Sequence, residues 1–403
     1  MAFVDISQAQ TLAKWRRPIA LLMLMAFAMQ VAFALWSSLL NNFVHEVAGF
    51  DGRDLGWLQS IREVPGFFAV GVILILYLMR EQVLALVSLL MLGGAVAVTA
   101  YFPTFGGLLL TTFIGSLGFH YYETAQQSLT LQWLSKEEAP RVLGWLIAVG
   151  SGSALFIYLI IIFAWQVLDL RYEALYLFGG GLCFLVAVYC FVGFPNFTTG
   201  TPQHRKLILR RQYWLYYVLQ FMAGARRQIF LVFAAFMMVE KFGFEVHELT
   251  ALFLINYIAN MIFAPLIGEM IGRFGERLAL IIEYVGLTLI FATYAGIYVF
   301  DWGFVLAAGL YVLDHMFFAL AIAQKTYFQK IADPQDIAPT AAVAFTINHI
   351  GAVVLPALLG YVWIVSPASV FWVATGFAFV SLLLSILIPR HPTRGHETIL
   401  ARC

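Results

Sequence analysis

Charge is scarce in this sequence. Aspartate, glutamate, lysine and arginine together make up 11% of its 403 residues, while 62% of the residues are hydrophobic. A soluble domain carries about 25% charged residues, so the composition excludes a water-soluble protein. No run of basic residues suggests a nucleic-acid partner. The composition predicts a membrane protein that crosses the lipid bilayer many times.

Cysteines and catalytic motifs are scarce as well. Cys183 and Cys190 fall in one apolar run and Cys403 ends the chain, so we expect free thiols rather than a disulfide framework. The sequence lacks His-Glu-x-x-His, Gly-x-Ser-x-Gly and a phosphate-binding glycine loop. These absences predict a protein that is not an enzyme and that uses no cofactor and no bound metal.

Long apolar runs are what the sequence has in abundance. About twelve of them reach about 20 residues, the length at which a helix crosses the hydrocarbon core. The predicted spans are 18–42, 54–79, 82–102, 105–134, 140–167, 172–194, 212–240, 246–272, 276–300, 303–332, 338–364 and 367–389. The longest loop, 195–211, predicts a division into a six-helix bundle over 1–194, a second over 212–389 and a tail over 390–403.

Basic residues in the predicted loops are biased to one side of the membrane. With the N-terminus inside, only Arg53, Arg171 and Lys241 fall outside, against sixteen basic residues inside. Since positively charged loops stay in the cytoplasm, both termini and the 195–211 loop are predicted to be cytoplasmic. Short loops and the lack of an organelle signal indicate a bacterial inner membrane. We expect a monomer whose partners are the bilayer and a small-molecule substrate.

The two predicted bundles resemble each other at one point. The fourth and tenth spans each end in two glutamines five residues apart, followed by Ala-Pro: Gln127, Gln132 and Ala139-Pro140, then Gln324, Gln329 and Ala338-Pro339. Such a repeat predicts a duplicated six-helix unit, an arrangement in which transporters place the substrate site between the repeats near the midplane.

One loop carries a family signature. Between predicted spans 8 and 9 the order Gly268, Gly272-Arg273, Gly275 and Arg277 resembles Gly-x-x-x-Asp-Arg-x-Gly-Arg, the inner-loop motif of the major facilitator superfamily. Gly272 stands where the family has an acid, and Arg277 is one place late. The resemblance implies an all-α membrane protein with twelve transmembrane helices, in two six-helix pseudo-repeats around a central cavity. It also implies alternating access and a gating role for this loop.

Polar side chains are concentrated in the spans that the resemblance places around the cavity, as expected for intramembrane polar groups. The candidates for substrate binding are Arg226, Arg227, Lys325, Gln220, Gln127, Tyr311, Asn256 and Asn260. The candidates for proton coupling are Glu123, Asp314, His120 and His349. The candidates for gating are Arg62, Glu63, Gly268, Gly272, Arg273 and Arg277.

The adjacent Arg226 and Arg227, inside the seventh span, need compensation. An arginine at mid-membrane costs about 3 kcal/mol or more, and it does not deprotonate, since its pKa stays above about 12. A buried acid, a water-filled cavity or an anionic ligand can compensate the charge. Neighbouring side chains on a helix point about 100° apart. Arg227 shares a stripe with Gln220 and is the one predicted to face the cavity.

Several acids have a structural as well as a functional interpretation. Glu123 could neutralise one of the two arginines instead of carrying a proton. Glu269 and Glu283 are predicted to pair with Arg273 or Arg277 near the inner surface. The adjacent Arg62 and Glu63 form either an outer gate or a structural ion pair. Asp314 and Lys325 lie about 16 Å apart along one helix, at 1.5 Å per residue, so each needs a partner elsewhere.

The leading functional hypothesis is secondary transport of a small organic anion, a carboxylate, phosphate or sulfonate, coupled to protons by alternating access. Arginine offers a planar two-pronged donor to such groups. The alternatives are proton-driven efflux of amphipathic or cationic compounds and uptake of a neutral polar solute. A membrane assembly factor that does not transport is a further alternative.

Overall fold

The computed structural model describes residues 3–68, 75, 78–133, 139–198, 209–333 and 336–400, and nearly all of them are helical. The first helices are α1 (Pro18–Glu46), α2 (Gly52–Phe67), α3 (Glu81–Val98), α4 (Phe105–Trp133), α5 (Ala139–Val167) and α6 (Tyr172–Gly193). They are followed by α7 (Trp214–Ile229), α8 (Ala235–Glu240), α9 (Val246–Phe274), α10 (Glu276–Phe300), α11 (Phe304–Phe317), α12 (Ile322–Ile331), α13 (Ile337–Val365) and α14 (Pro367–Ile386). Short 3₁₀ turns cover Ile6–Thr11, Lys14–Arg16, Thr99–Tyr101 and Arg211–Tyr213.

Two long runs contain irregular turns. A π-helical turn, Phe230–Ala234, joins α7 to α8, and a 3₁₀ turn, Phe318–Ala321, joins α11 to α12. Each run is still apolar and long enough to cross a bilayer as one span, over Arg211–Glu240 and Phe304–Ile331. Irregular turns inside a helix are frequent at functional sites, so these two positions bear on the site described below.

Ten helices among the described residues are long and apolar enough to span a membrane. They cover Pro18–Glu46, Glu81–Tyr101, Trp145–Val167, Tyr172–Gly193, Arg211–Glu240, Val246–Phe263, Glu276–Phe300, Phe304–Ile331, Val343–Val365 and Pro367–Ile386. The predicted span 54–79 lies partly outside the described residues. The predicted span 105–134 corresponds to α4, which is not among the ten. The twelve-helix count and the pseudo-repeat therefore stay predictions.

The chain divides into two compact units. Unit 1 contains Met1–Gly49, Ile61–Gln203 and Glu245–Ala251, and unit 2 contains Phe50–Ser60, His204–Phe244 and Leu252–Cys403. In unit 1, α3 packs against α4 and α6, and α1 packs against α5 and α6. In unit 2, α10 packs against α14, and α7 packs against α13 and α14.

Close helix approach in unit 1 depends on glycine. A Cβ on Gly180 would lie 2.2 Å from the backbone nitrogen of Ala97 and 2.5 Å from the carbonyl oxygen of Gly93. The α3 and α6 backbones touch there because neither Gly93 nor Gly180 has a side chain, which is how small residues let membrane helices pack closely. The sequence motif Gly179-Gly180-Gly181 thus supplies a packing surface on α6.

A small parallel sheet fastens the N-terminal arm to unit 1. Strand β1 (Phe3–Asp5) pairs with β2 (Asn196–Thr198), the segment that follows α6. The buried amide of Gln82 donates to the Pro195 carbonyl at 2.8 Å and accepts from the Phe197 amide at 2.9 Å. The guanidinium of Arg80 lies 4.2 Å from the Phe3 ring centre. Both strands are therefore contacted by residues at the start of α3.

An ion-pair cluster lies at the start of α13 in unit 2. The buried Asp336 carboxylate accepts from the guanidinium of Arg210, with one nitrogen at 3.0 Å, and from the Tyr213 hydroxyl at 3.0 Å. The Arg210 and Tyr213 donors hold the pKa of Asp336 below its ordinary value. The segment 209–213 is thereby fixed to the residues that precede α13.

The two described cysteines agree with the sequence. Cys183 and Cys190 are buried free thiols on α6, and Cys403 lies outside the described residues.

Candidate functional site

The centre of the candidate site is a buried ion pair in unit 2. Arg226, on α7, donates from Nη2 to the Glu283 carboxylate, on α10, at 2.8 Å. The two residues are 3% and 1% exposed. The prediction that Glu283 pairs with Arg273 or Arg277 near the inner surface is wrong. Glu283 instead supplies the buried acid that compensates Arg226.

Aromatic and amide groups hold Arg226 in place. Its guanidinium carbon lies 4.9 Å from the ring centre of Tyr284, the residue after Glu283. The Gln324 amide, on α12, donates to the Tyr284 hydroxyl at 2.6 Å. A cation over an aromatic face in a desolvated site contributes about 2 kcal/mol. Arg226 is therefore fixed by one acid and one ring from the same turn of α10.

An amide chain extends from this pair to α13. Gln220 donates from its side chain to the Gln324 side-chain oxygen at 3.0 Å. The Asn348 side chain donates to the Gln220 backbone carbonyl at 3.1 Å. At Gly224, one turn further along α7, a Cβ would lie 2.1 Å from the Asn348 carbonyl oxygen. Close contact between α7 and α13 thus positions the residues just before the arginines.

Asp314, on α11, is the most buried acid of the candidate set. It is 0% exposed, and neither of its carboxylate oxygens has a hydrogen-bond partner among the described residues. The charges of Arg226 and Glu283 both act on it. Tyr311, one turn earlier, is buried against Phe230 with ring centres 4.8 Å apart. The described residues contain no ion pair between Asp314 and Lys325, as their separation along the chain predicted.

The remaining substrate candidates of unit 2 differ in exposure. Arg227 is half-buried, and Lys325 is exposed on α12. Asn256 is buried and Asn260 half-buried on α9, one helical turn apart. The side-chain oxygens of both asparagines have no hydrogen-bond partner among the described residues. The four side chains provide two positive charges and two amide acceptors, and their predicted roles in binding remain predictions.

Unit 1 holds a second polar cluster. Arg62 and Glu63 form an ion pair, and the Ser116 hydroxyl, on α4, donates to the Arg62 carbonyl. Nδ1 of the buried His120 lies 3.0 Å from the Ser116 carbonyl. The same nitrogen lies 3.0 Å from the Ser116 hydroxyl oxygen, so it can donate to the carbonyl or accept from the hydroxyl. The ion pair between Arg62 and Glu63 agrees with either the structural or the gating interpretation of these residues.

The last polar candidates lie on separate helices. Glu123 and Gln127 are both exposed on α4, one helical turn apart. His349, on α13 of unit 2, is buried, and its Nδ1 lies 2.8 Å from the Phe345 carbonyl, to which it can only donate. In both histidines, Nδ1 thus lies within hydrogen-bond distance of a backbone carbonyl of the same helix. Their roles as proton sites, and that of Glu123, remain predictions.

The inner-loop motif forms the junction between α9 and α10. Gly275 donates its amide to the Ile271 carbonyl at 2.9 Å and has φ +82° and ψ 165°, an extended conformation with positive φ that ends α9 and favours glycine. Arg273 pairs with Glu269, as predicted. The next acid, Glu276, is buried and pairs with Lys330 of α12 at 2.7 Å.

The other motif positions are less constrained. Gly268 lies in α9. Gly272 is exposed with open space around it, and Arg277 is half-buried. The gating roles predicted for this loop remain predictions.

Sequence reasoning missed Tyr284 and Gln324 as site residues and misplaced Glu283. A signal was present, because Glu283 is the single charged residue in the interior of its predicted span, beyond Glu276 and Arg277 at the start. An unpaired acid inside one membrane helix and two unpaired arginines inside another are each unfavourable. Pairing the acid with one arginine lowers the free energy of both. Nothing in the linear sequence indicated which arginine Glu283 would meet.

The fold is shared with solved transporter structures. A mutant of the nucleoside transporter NupG has a TM-score of 0.75 at 15% identity, covering 92% of this chain and 99% of its own. A POT family transporter in complex with 5-aminolevulinic acid has a TM-score of 0.73 at 11% identity, covering 91% and 94%. A bacterial homologue of the human lysosomal transporter Spinster, inward-facing and occupied, has a TM-score of 0.70 at 12% identity, covering 93% and 97%.

Sequence comparison gives the family. No curated protein matches the chain. The sequence model of the Major Facilitator Superfamily matches residues 20–356, most of the chain, and the inner-loop motif lies within that range. This integral membrane protein belongs to the Major Facilitator Superfamily of secondary transporters.

Proposed function

We propose that this protein moves a small organic anion, a carboxylate, phosphate or sulfonate, by proton-coupled alternating access. The observation that carries the proposal is the distribution of charge in unit 2. Glu283 engages Arg226, whereas Arg227, about 100° further around α7, is half-buried on the stripe of Gln220. Lys325 adds an exposed positive charge on α12.

Each basic residue has a distinct role in this proposal. Arg227 supplies a planar pair of donors that fits a carboxylate or phosphate edge, and Lys325 supplies a mobile point charge. Arg226 is held by Glu283 and Tyr284, so it is engaged within the protein and does not contact the substrate. Asp314 is the favoured proton carrier, because its buried carboxyl lies within range of the Arg226 charge.

The test is thermal unfolding of the detergent-purified chain with panels of carboxylates, organophosphates, sulfonates, lipophilic cations, sugars and nucleosides. A ligand that binds only the folded state at 100 times its Kd stabilises it by about 2.7 kcal/mol. We expect one anion class to stabilise the protein, Arg227→Ala to remove the effect and Lys325→Ala to weaken it. Lys14→Ala, an exposed lysine in the N-terminal arm, is the matched control and should behave as wild type. Anion stabilisation that survives in Arg227→Ala contradicts the assigned role.

A neutral polar solute is the second candidate. It is favoured by the likeness to a nucleoside transporter and by the unsatisfied amide oxygens of Asn256 and Asn260. In that case a sugar or nucleoside stabilises the protein, Arg227→Ala retains the effect and Asn256→Ala loses it. The same panel thus separates the two candidates.

We further propose that the chain resides in a bacterial inner membrane with both termini in the cytoplasm. The loop charges support this orientation. Single cysteines introduced at Arg16 and at Arg171 of a cysteine-free protein test it. A membrane-impermeant thiol reagent applied to intact cells should label the Arg171 position and spare the Arg16 position. The reverse pattern would invert the orientation.

A further inference from the structure

The three ionisable residues at the centre of unit 2 have complementary unsatisfied atoms. Arg226, Glu283 and Asp314 are 3%, 1% and 0% exposed and come from α7, α10 and α11. Arg226 uses Nη2 for Glu283, but its Nη1 has no hydrogen-bond partner among the described residues. Glu283 Oε2 and both Asp314 carboxylate oxygens also have no hydrogen-bond partner among the described residues. The cluster thus has one open cationic donor and three open acceptor atoms. Phe230, one turn after Arg226, packs on Tyr311, one turn before Asp314, with ring centres 4.8 Å apart, so α7 and α11 meet beside these residues.

The lack of a hydrogen-bond donor to Asp314 among the described residues places a proton on its carboxyl in the present state. An ionised carboxylate without a donor is unfavourable away from water, so a buried acid in that position stays neutral. With Asp314 protonated, Arg226 and Glu283 cancel. Among the described residues, the phenols of Tyr294 and Tyr311 also lie close to Asp314. His315 follows Asp314 in the chain, and its ring centre lies 6.2 Å from that of Phe230.

We propose that Arg226 is a two-carboxylate switch: Nη2 stays on Glu283, and Nη1 takes the Asp314 carboxylate when Asp314 releases its proton. The proton leaves to water, and no other bond is broken. Arg226 and Asp314 both stand just before irregular turns of their helices. The π-turn begins four residues after Arg226, and the 3₁₀ turn begins four residues after Asp314. Such interruptions often mark hinges.

The switch determines whether a proton and a substrate anion favour or oppose each other's binding. Counted together, Arg226, Arg227, Glu283 and Asp314 are neutral when both acids are ionised and carry one positive charge when Asp314 is protonated. A bound monoanion restores neutrality in the second case, so proton and anion favour each other's binding. This consequence rests on the proposed function, whereas the switch itself does not, and the two are tested separately.

Infrared spectroscopy of the ligand-free, full-length protein tests the switch. A buried protonated carboxyl gives a carbonyl stretch that is resolved from carboxylate bands. We expect this band at neutral pH in the wild type and its loss in Asp314→Asn. It should also be lost in Glu283→Gln, because Arg226 can then satisfy an ionised Asp314 with both of its nitrogens. Glu269→Gln, which removes an exposed acid, is the control and should leave the band unchanged.

Two results would overturn the switch: a band that survives in Asp314→Asn, or one that keeps full intensity in Glu283→Gln. The double variant Arg226→Gln/Glu283→Gln serves where Glu283→Gln does not fold. It lacks the Arg226 cation, so the band should persist at alkaline pH after the wild type has lost it. Loss of the band in step with the wild type also overturns the switch.

Proton uptake on ligand binding tests the coupling. With the anion that the stability panel identifies, binding at alkaline pH should take up about one proton in the wild type and none in Asp314→Asn. Equal proton uptake in both proteins contradicts the coupling role of Asp314. A panel without any anion contradicts the proposed function and leaves the infrared result on Arg226 valid by itself.

Discussion

Arg226 and Glu283 lie 57 residues apart in the chain and meet at 2.8 Å inside unit 2. The contact joins α7 to α10 and neutralises one of two adjacent arginines within an apolar span. The desolvation penalty of this ion pair and the attraction between its partners are both large. Removing two charges from water costs several kcal/mol per ion, and only close pairing with further hydrogen bonds recovers that energy. The pair therefore gives a sharp test of the architecture.

Removing one partner of this ion pair should lower the free energy of unfolding far more than replacing both partners with apolar residues. We expect Glu283→Ala to lower the free energy of unfolding by about 3–5 kcal/mol, because it leaves Arg226 buried without an acid. The double variant Arg226→Met/Glu283→Leu should recover most of that loss. Denaturant-induced unfolding in detergent measures both. A double variant less stable than Glu283→Ala would mean that the pair contributes more than charge compensation.

Two adjacent glycines on α6 should respond very differently to substitution. Gly180→Ala places a Cβ 2.2 Å from the Ala97 nitrogen, so α3 and α6 must separate. We expect a loss of about 1–3 kcal/mol in thermal unfolding, the usual cost of overpacking. Gly181→Ala is the control, because nothing lies within 4 Å of its Cβ position. Equal effects of the two substitutions would contradict the observed contact between α3 and α6.

The N-terminal sheet should depend on one buried amide. Gln82→Ala removes hydrogen bonds to Pro195 and Phe197, each contributing about 1 kcal/mol. We expect the free energy of unfolding to fall by about 2 kcal/mol in total. We also expect faster proteolysis of the N-terminal arm, which mass spectrometry of the cleavage products measures. Gln8→Ala, an exposed position in that arm, should match the wild type. An unchanged cleavage rate in Gln82→Ala would show that the arm is held by other contacts.

Acid should weaken unit 2 through Asp336. Its pKa is held below the ordinary value of 3.8 by Arg210 and Tyr213. A depressed pKa stabilises the fold fully above the unfolded value, and the contribution is lost as pH falls through the folded value. Melting temperature measured from about pH 6 down to about pH 3 should therefore fall less steeply in Asp336→Asn than in the wild type. Asp333→Asn, half-exposed nearby, should keep the wild-type slope, and a wild-type slope in Asp336→Asn would contradict the assignment.

Most of the helical architecture could be predicted from sequence, because a run of about 20 apolar residues has few stable alternatives in a bilayer. The role of Gly275 follows similarly from its motif, since a residue with φ +82° is rarely anything but glycine. The irregular turns at 230–234 and 318–321 could not be predicted. They arise within apolar sequence that also suits a regular helix, and packing against other helices selects between the two.

By itself the sequence determined that this protein is embedded in a membrane and that its helices are long and apolar. It also determined that the positive charges of two arginines inside one helix require compensation. These conclusions follow from local physics, namely the transfer of side chains and backbone into hydrocarbon. Only the tertiary structure decided that Glu283 meets Arg226, that Asp314 has both oxygens unsatisfied, and that Gln82 holds the N-terminal arm. Pairings between distant residues depend on which helices pack together and at what rotation. That geometry is set by many weak contacts at once and by no single motif.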